Sequence, residues 1–356
     1  MNNNKGKLKE IQSTRGIAIL AVVLIHITSI PLEVLPAGIP SHTVYTSINR
    51  ALQFAVPLFL MVSALVLAYG IGTDGAIKWR DFYCKRGIRV VVPFVVWTTL
   101  YLILLFITGH VGKVPTLKEL LLWYGFGKGF YHLYFLSVVI QFYLVFPFLH
   151  VFWHRHRPSL VNTIIILATL QVAFYWINRM YLYPHFPYTA SLLPSYIFPI
   201  GVGLWLGYNV SAWNHLWTRY RVLIGTFAIL SGSFYVQQYL AVLAGQRINT
   251  FYFQMVWLLY ATTIGICIIF LSRLLQQGAW GKSAIIGKIG ELSFGIYLVH
   301  PFFLMLWQRV FSPVTANEVH LFTCLGLVII LTLSGLVTYG LERTILAKPL
   351  YGIIRR

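Results

Sequence analysis

Acidic side chains are scarce in this chain: 8 Asp and Glu stand against 27 Lys and Arg in 356 residues, and the four charged types together make up 10%. Ordinary soluble domains carry about 25%, so there is too little polar surface here to coat a water-soluble globule of this length. Cysteine is also sparse. Cys84, Cys267 and Cys324 lie far apart with no C-x-x-C spacing, which argues against a disulfide framework and gives no zinc signature. Neither G-x-x-x-x-G-K-[ST] nor H-E-x-x-H occurs, so nothing points to nucleotide hydrolysis or a zinc hydrolase, and no metal is expected. No repeat of 20 to 50 residues and no long linker divides the chain.

What is abundant is hydrocarbon. Apolar and aromatic residues make up 58%, enough for about ten spans at ~20 residues each. Reading the apolar runs between their charge, Pro and Gly boundaries predicts an all-α polytopic membrane protein. Its spans fall near 16–35, 47–69, 90–109, 131–152, 160–178, 192–208, 222–243, 251–271, 285–306 and 320–341. Pro31 is expected to cut the first span short, and Pro194 and Pro199 to interrupt the sixth. The first run directly follows Lys5, Lys7, Lys9 and Arg15 and has no cleavage site, so it reads as a retained helix rather than a signal peptide. The segment 119–128 has the Trp and Tyr of an interfacial amphipathic piece.

A net charge of +19 would suggest a nucleic-acid partner in a soluble protein. In a membrane protein it is read segment by segment, because Lys and Arg collect on the cytoplasmic side. With the N-terminus inside, alternate segments hold 20 basic residues and the outward ones 7, namely Arg50, Lys113, Lys118, Lys128, Arg179, Arg247 and Arg309. This asymmetry supports both termini in the cytoplasm, and nucleic acid is not expected as a partner. Residues 1–356 are expected to form one transmembrane domain, with 1–14 a cytosolic N-terminal segment and 342–356 a basic cytosolic tail.

The most informative pair sits in the first span, R-G-I-A-I-L-A-V-V-L-I-H, which carries Arg15 and His26 eleven residues apart. At about 100° per residue both fall on one helical face, separated by ~16 Å along the axis, with Arg15 at the rim and His26 near mid-membrane. An ionisable group at that depth is costly and is by default a functional candidate.

That pair, with ten residues between the basic residue and the His, resembles the hallmark of the integral-membrane acyltransferase 3 family. The resemblance continues in order through VPLFLMVSALVLAYG (56–70), KRGIRVVVPF (85–94), HLYFLSVVIQFYLVFP (132–147) and ELSFGIYLVHPFFL (291–304), touching both ends of the chain. Members move acyl groups, often acetyl from cytosolic acetyl-CoA, to sugars or other acceptors frequently outside the membrane. The resemblance therefore implies an O-acyltransferase of the bacterial cytoplasmic membrane, with acetyl-CoA or another acyl-CoA as co-substrate and a hydroxylated cell-envelope glycan as acceptor. It maps the family's essential basic residue and His onto Arg15 and His26, and its R-x-x-R pair onto Arg86 and Arg89. One departure stands out. Many members carry a Ser-x-Glu-Glu-like stretch in the fourth span, where this chain has Ser137, Val138, Val139, Ile140 and Gln141, which points to the branches acting on smaller acceptors or Gram-positive surface polymers.

The residues themselves agree with this reading. A CoA thioester needs cations for its phosphates and a proton-handling group for its reactive carbon. Arg86 and Arg89, three apart at a helix start, share a face and suit phosphate contacts; a plain positive flank is the competing reading. His26 can act as general base or take the acyl group itself. His300, twelve residues beyond Lys288, lies at a depth similar to His26 and is a secondary candidate, with a helix-end role beside Pro301 as the alternative. His132, at the outer end of the fourth span, faces the acceptor or is an interfacial histidine. Glu291 is expected to pair with a nearby cation, with acid/base work the alternative. His154 and His156 read as solvated charge, and Gln141, Gln171 and Gln254 as interhelical glue. A transporter or flippase of a polar glycan or lipid-linked sugar is the alternative function, since intramembrane histidines and broken helices also mark transport paths.

Overall fold

The computed structural model describes residues 8–110, 115–277 and 284–353. Lys5, Lys7, Lys113, Lys282, Arg355 and Arg356 of the charge count lie outside the described residues, as does the first half of the segment 1–14. Every regular element among the described residues is helical. In chain order these are α1 (Glu10–Val34), α2 (Pro40–Ala51), α3 (Ala55–Ile71), α4 (Trp79–Arg86), α5 (Val92–Ile107), α6 (Leu117–Phe126), α7 (Tyr134–His156) and α8 (Leu160–Ile177), followed by α9 (Ile197–Tyr208), α10 (Trp213–Leu243), α11 (Thr250–Gln277), α12 (Ala284–Glu291), α13 (Ser293–Val310), α14 (Ala316–Leu341) and α15 (Ala347–Tyr351).

All ten expected spans fall on helices, but they do not behave alike. Seven helical stretches are long and apolar enough to cross a membrane, and an eighth joins them if the pair α12–α13, bent by 82°, counts as one span. The sixth expected span shrinks to α9, whose twelve residues reach only ~18 Å at 1.5 Å per residue, short of a ~30 Å hydrocarbon core. The seventh, α10, is long enough but too polar, with Ser231, Ser233, Gln237 and Gln238 in its second half. Pro31 does not end the first helix, which runs on to Val34. By contrast, the prolines near 194 and 199 do break the sixth run, where a 3₁₀ turn, Leu193–Tyr196, precedes α9. The amphipathic piece is α6, started by a reciprocal Thr116–Glu119 capping box and stopped by the left-handed Gly127.

The chain forms two compact units, Met1–Val66 with Asn209–Tyr339, and Leu67–Tyr208 with Gly340–Arg356. The first is built around α1, which packs against α2, α11, α12 and α13. Its closest approach is to α12, through two glycines. A Cβ on Gly16 would lie 2.2 Å from the Ile286 carbonyl oxygen, and one on Gly290 would lie 1.7 Å from that of Gln12. Here backbone meets backbone, as small residues permit between membrane helices.

The second unit is organised by α7, against which α4, α6 and the turns before α9 pack. Polar side chains fasten it at its breaks. Gln141 donates to the Ser191 carbonyl (2.8 Å) and accepts from the Leu193 amide (2.9 Å). Gln171 likewise donates to the Pro194 carbonyl and accepts from the Phe198 amide. Each glutamine satisfies backbone groups that the prolines leave without helical partners, which is the glue expected of them. His150 donates from Nε2 to the Gly75 carbonyl (2.7 Å) and meets the Tyr208 hydroxyl at Nδ1 (2.6 Å). His154 is more than solvated charge: it donates to the Thr73 carbonyl (2.8 Å) beside the Arg157–Asp74 ion pair.

Candidate active site

His26 stands mid-way along α1, half-buried, and its Nδ1 lies 2.7 Å from Nε2 of His300 on α13. The ring planes are 4° from parallel and their centroids 5.0 Å apart. Face-to-face rings cannot approach closer than van der Waals contact, so nitrogens at this separation meet edge to edge in one plane, with the hydrogen bond along the ring. The equal depth expected for the two histidines is thus realised as direct contact. His300 is fully buried, whereas His26 keeps some access.

The hydrogen-bond chain fixes where the protons lie. Nδ1 of His300 is 3.0 Å from the carbonyl oxygen of Ile296. A carbonyl only accepts, so Nδ1 carries the hydrogen, and in the neutral ring Nε2 is left with the lone pair. That lone pair faces His26 Nδ1, which must therefore be the donor. Neutral His26 then holds its own lone pair on Nε2, the nitrogen turned away from His300. His300 thus fixes the tautomer and the ring orientation of His26. Pro301 does not end the helix, since α13 continues to Val310.

Around this pair the first unit is polar. Asn49 of α2 donates to the Ile25 carbonyl (2.8 Å) and to the Thr28 hydroxyl (3.0 Å), bracing the turn of α1 that bears His26. The next residue, Arg50, belongs at this depth and not in the outer loop where the charge count puts it. Its guanidinium lies 3.6 Å from the centroid of the Tyr239 ring and donates to that hydroxyl at 2.6 Å, while its Nε is buried without a hydrogen-bond partner. Arg15 is half-buried near the start of α1, one residue before the glycine contact with α12. Glu291 sits exposed where α12 bends into α13, and among the described residues it forms no ion pair. The cation partner expected for it is therefore not found.

Arg86 and Arg89 belong to the second unit, Arg86 just before a π-helical turn, Gly87–Val91, and Arg89 within it. Such turns insert an extra residue and recur at functional sites. Arg86 is half-buried over the rings of Phe82 (5.5 Å) and Tyr143 (5.3 Å), lining a cavity of about 220 Å³ with Tyr83, Ile140 and Tyr143. Its Nε is buried without a partner. Arg89 is exposed, and its backbone supports the chain end: a Cβ on Gly352 would fall 2.4 Å from Arg89 Cα, and Trp97 donates to the Leu350 carbonyl at 2.9 Å. His132 is buried and sits edge-on to Tyr101, Phe130 and Tyr131.

Several membrane-length helices, one of them bearing a histidine whose ring is held by a second histidine, define a polytopic membrane protein with a polar pair among its spans. The acyltransferase domain model of the acyltransferase 3 family matches residues 8–339, and the chain belongs to that family. A relative from Bacillus subtilis (strain 168), "Putative membrane-bound acyltransferase YfiQ", is 26% identical over 317 residues, covering 84% of this chain and 82% of the relative. No solved structure matches the chain. It is a multi-pass membrane acyltransferase.

Proposed function

We propose that the protein transfers an acyl group, acetyl in the simplest case, from cytosolic acyl-CoA to a hydroxyl of a cell-surface glycan or related acceptor, across the bacterial cytoplasmic membrane and with both termini inside. The observation that carries this reading is the tautomer of His26, whose Nδ1–H is directed to His300 so that the lone pair lies on Nε2. The acceptor hydroxyl gives its proton to Nε2 as its oxygen bonds to the thioester carbonyl carbon. The carbon–sulfur bond then breaks, and the proton returns from His26 to the departing thiolate. General acid/base groups contribute ~10² to 10⁴ in rate.

Binding of the donor is a separate task. Arg86 supplies an unpartnered guanidinium nitrogen beside a small cavity, which suits a CoA phosphate, and Arg89 adds charge at the exposed end of the same turn. Arg15 supplies a further cation on the helix that bears His26. The family model covers residues of both compact units. The test is transfer of labelled acetyl from acetyl-CoA into envelope material in membranes containing the parent protein or His26→Gln, normalised to membrane abundance. Loss of transfer in the variant supports the assignment. Parental transfer in His26→Gln, or no transfer by the parent, refutes it and favours glycan transport.

A further inference from the structure

The second unit contains a cavity that acyl transfer does not use. It lies among α7, α8 and α9, has a volume of about 530 Å³, and is lined by Val145, Leu149 and Phe152 of α7, Ile166 and Leu170 of α8, and Leu204 of α9. Val145, Phe152, Ile166 and Leu170 are also exposed on the outside of the helices, so the cavity is a groove open to the side. Its wall presents apolar atoms, leaving nothing to hydrogen-bond a sugar or a nucleotide. On α7 the lining runs from Phe142 to Trp153, eleven residues or ~16 Å, about the thickness of one leaflet of a ~30 Å hydrocarbon core.

One end of this groove is chemically distinct. Phe152, Trp153 and Pro158 line it, and the residues between them are His154, Arg155, His156 and Arg157. Arg157 is taken up by Asp74. Arg155 is exposed and, among the described residues, pairs with no carboxylate. The His156 ring packs 4.7 Å from that of Phe152, joining the basic turn to the groove wall. The N-terminus of α8, capped by Ser159, adds the positive end of an 18-residue helix to the same turn.

We infer that this groove binds one acyl chain of an anionic phospholipid, drawn from the leaflet at the α7–α8 turn, with the headgroup phosphate held by Arg155. Length, apolarity and lateral opening match a lipid tail, and the free cation at one end selects the charge of the head. A lipid seated there fills the space between α7 and α8 and ties the short α9 to the bilayer.

Purified protein in mild detergent tests this by native mass spectrometry with phosphatidylglycerol and phosphatidylcholine of identical chains. The parent is expected to retain phosphatidylglycerol over phosphatidylcholine by about fivefold, the contribution of one surface cation. Arg155→Glu should abolish the preference while still binding a lipid. Ile166→Trp, which fills the groove from its lipid side, should lose the retained lipid of either kind; Leu170→Phe does the same service should the tryptophan variant lose its thermal transition. Equal retention of both lipids by the parent, a preference unchanged in Arg155→Glu, or retention unchanged in the folded groove-filling variants each overturns the inference, as does a second protein chain occupying the groove.

Discussion

Replacing His300 by Phe tests the proton bookkeeping of the site without touching His26. Phenylalanine keeps a flat ring in the buried position but offers no lone pair to His26 Nδ1. The donor that now meets Nε2 of His300 at 2.7 Å is left unsatisfied, or His26 switches tautomer and turns its bare nitrogen inward. An unsatisfied buried donor costs ~1–3 kcal/mol, which is about fivefold to 150-fold in rate at 1.36 kcal/mol per decade. Full tautomer loss sets the upper bound, since the comparable lesion in a Ser-His-Asp triad lowers turnover by about 10⁴. Labelled acetyl transfer in membranes at equal protein abundance reads the effect. His300→Gln, whose amide oxygen can accept, should recover part of the activity. In a His26→Gln background, His300→Phe should add no further loss, because two residues acting as a unit are not additive. A folded His300→Phe protein with parental transfer, or full additivity of the two changes, would refute the orienting role.

Three other outcomes follow from the geometry. Arg86→Ala should raise the apparent KM for acetyl-CoA about tenfold to hundredfold, as loss of a charge-assisted contact of ~1.5–3 kcal/mol implies, and Arg89→Ala should raise it less, because Arg89 is exposed; equal, parental titrations would dismiss the phosphate assignment. Gly290→Ala should destabilise the protein by ~1–3 kcal/mol or more through overpacking, seen as a lower thermal transition in detergent, while Gly287→Ala, whose added methyl meets no atom within 4 Å, should not; similar transitions for the two would remove the α1–α12 contact as a determinant. In a background with Cys84, Cys267 and Cys324 changed to Ser, a cysteine at the exposed Ala76 should resist impermeant thiol reagents in intact cells and react in inverted vesicles. Labelling from outside would reverse the topology drawn from the basic residues.

The parts of this molecule that were legible in the sequence are those set by local periodicity. Helical rise brought Arg15, His26 and His300 to their relative depths, since an α-helix converts residue number into distance with little freedom. The glutamines at the proline breaks were readable as glue for the same reason: a proline removes a predictable amide. What could not be read depends on neighbours distant in sequence. Nothing near residue 50 distinguishes Arg50 from a loop cation until Asn49 is seen bracing α1 and Tyr239 is seen beneath the guanidinium. The π turn at Gly87–Val91 could not be read from the sequence either, nor that Arg86 lines a cavity while Arg89 is exposed. Nothing in the local sequence shows that Glu291, the last residue of α12, ends exposed and without an ion pair among the described residues.

The scarcity of acidic residues and the histidine pair bear on one another. A serine hydrolase orients its histidine with a carboxylate, which stabilises the imidazolium by its charge. At the depth of His26 a carboxylate would have to give up its hydration, a penalty of several kcal/mol per ion. A second imidazole avoids that penalty. It is neutral at rest, takes its own orientation from the Ile296 carbonyl, and accepts the same hydrogen bond that a carboxylate would. In the proposed mechanism, a neutral partner of this kind orients His26 without adding a fixed negative charge beside it. Replacing His300 by Glu separates the two designs. The carboxylate should favour the protonated form of His26 and shift the acidic limb of the pH–rate profile upward, with less transfer at neutral pH, whereas a merely structural His300 would leave the position of that limb unchanged in whatever protein folds.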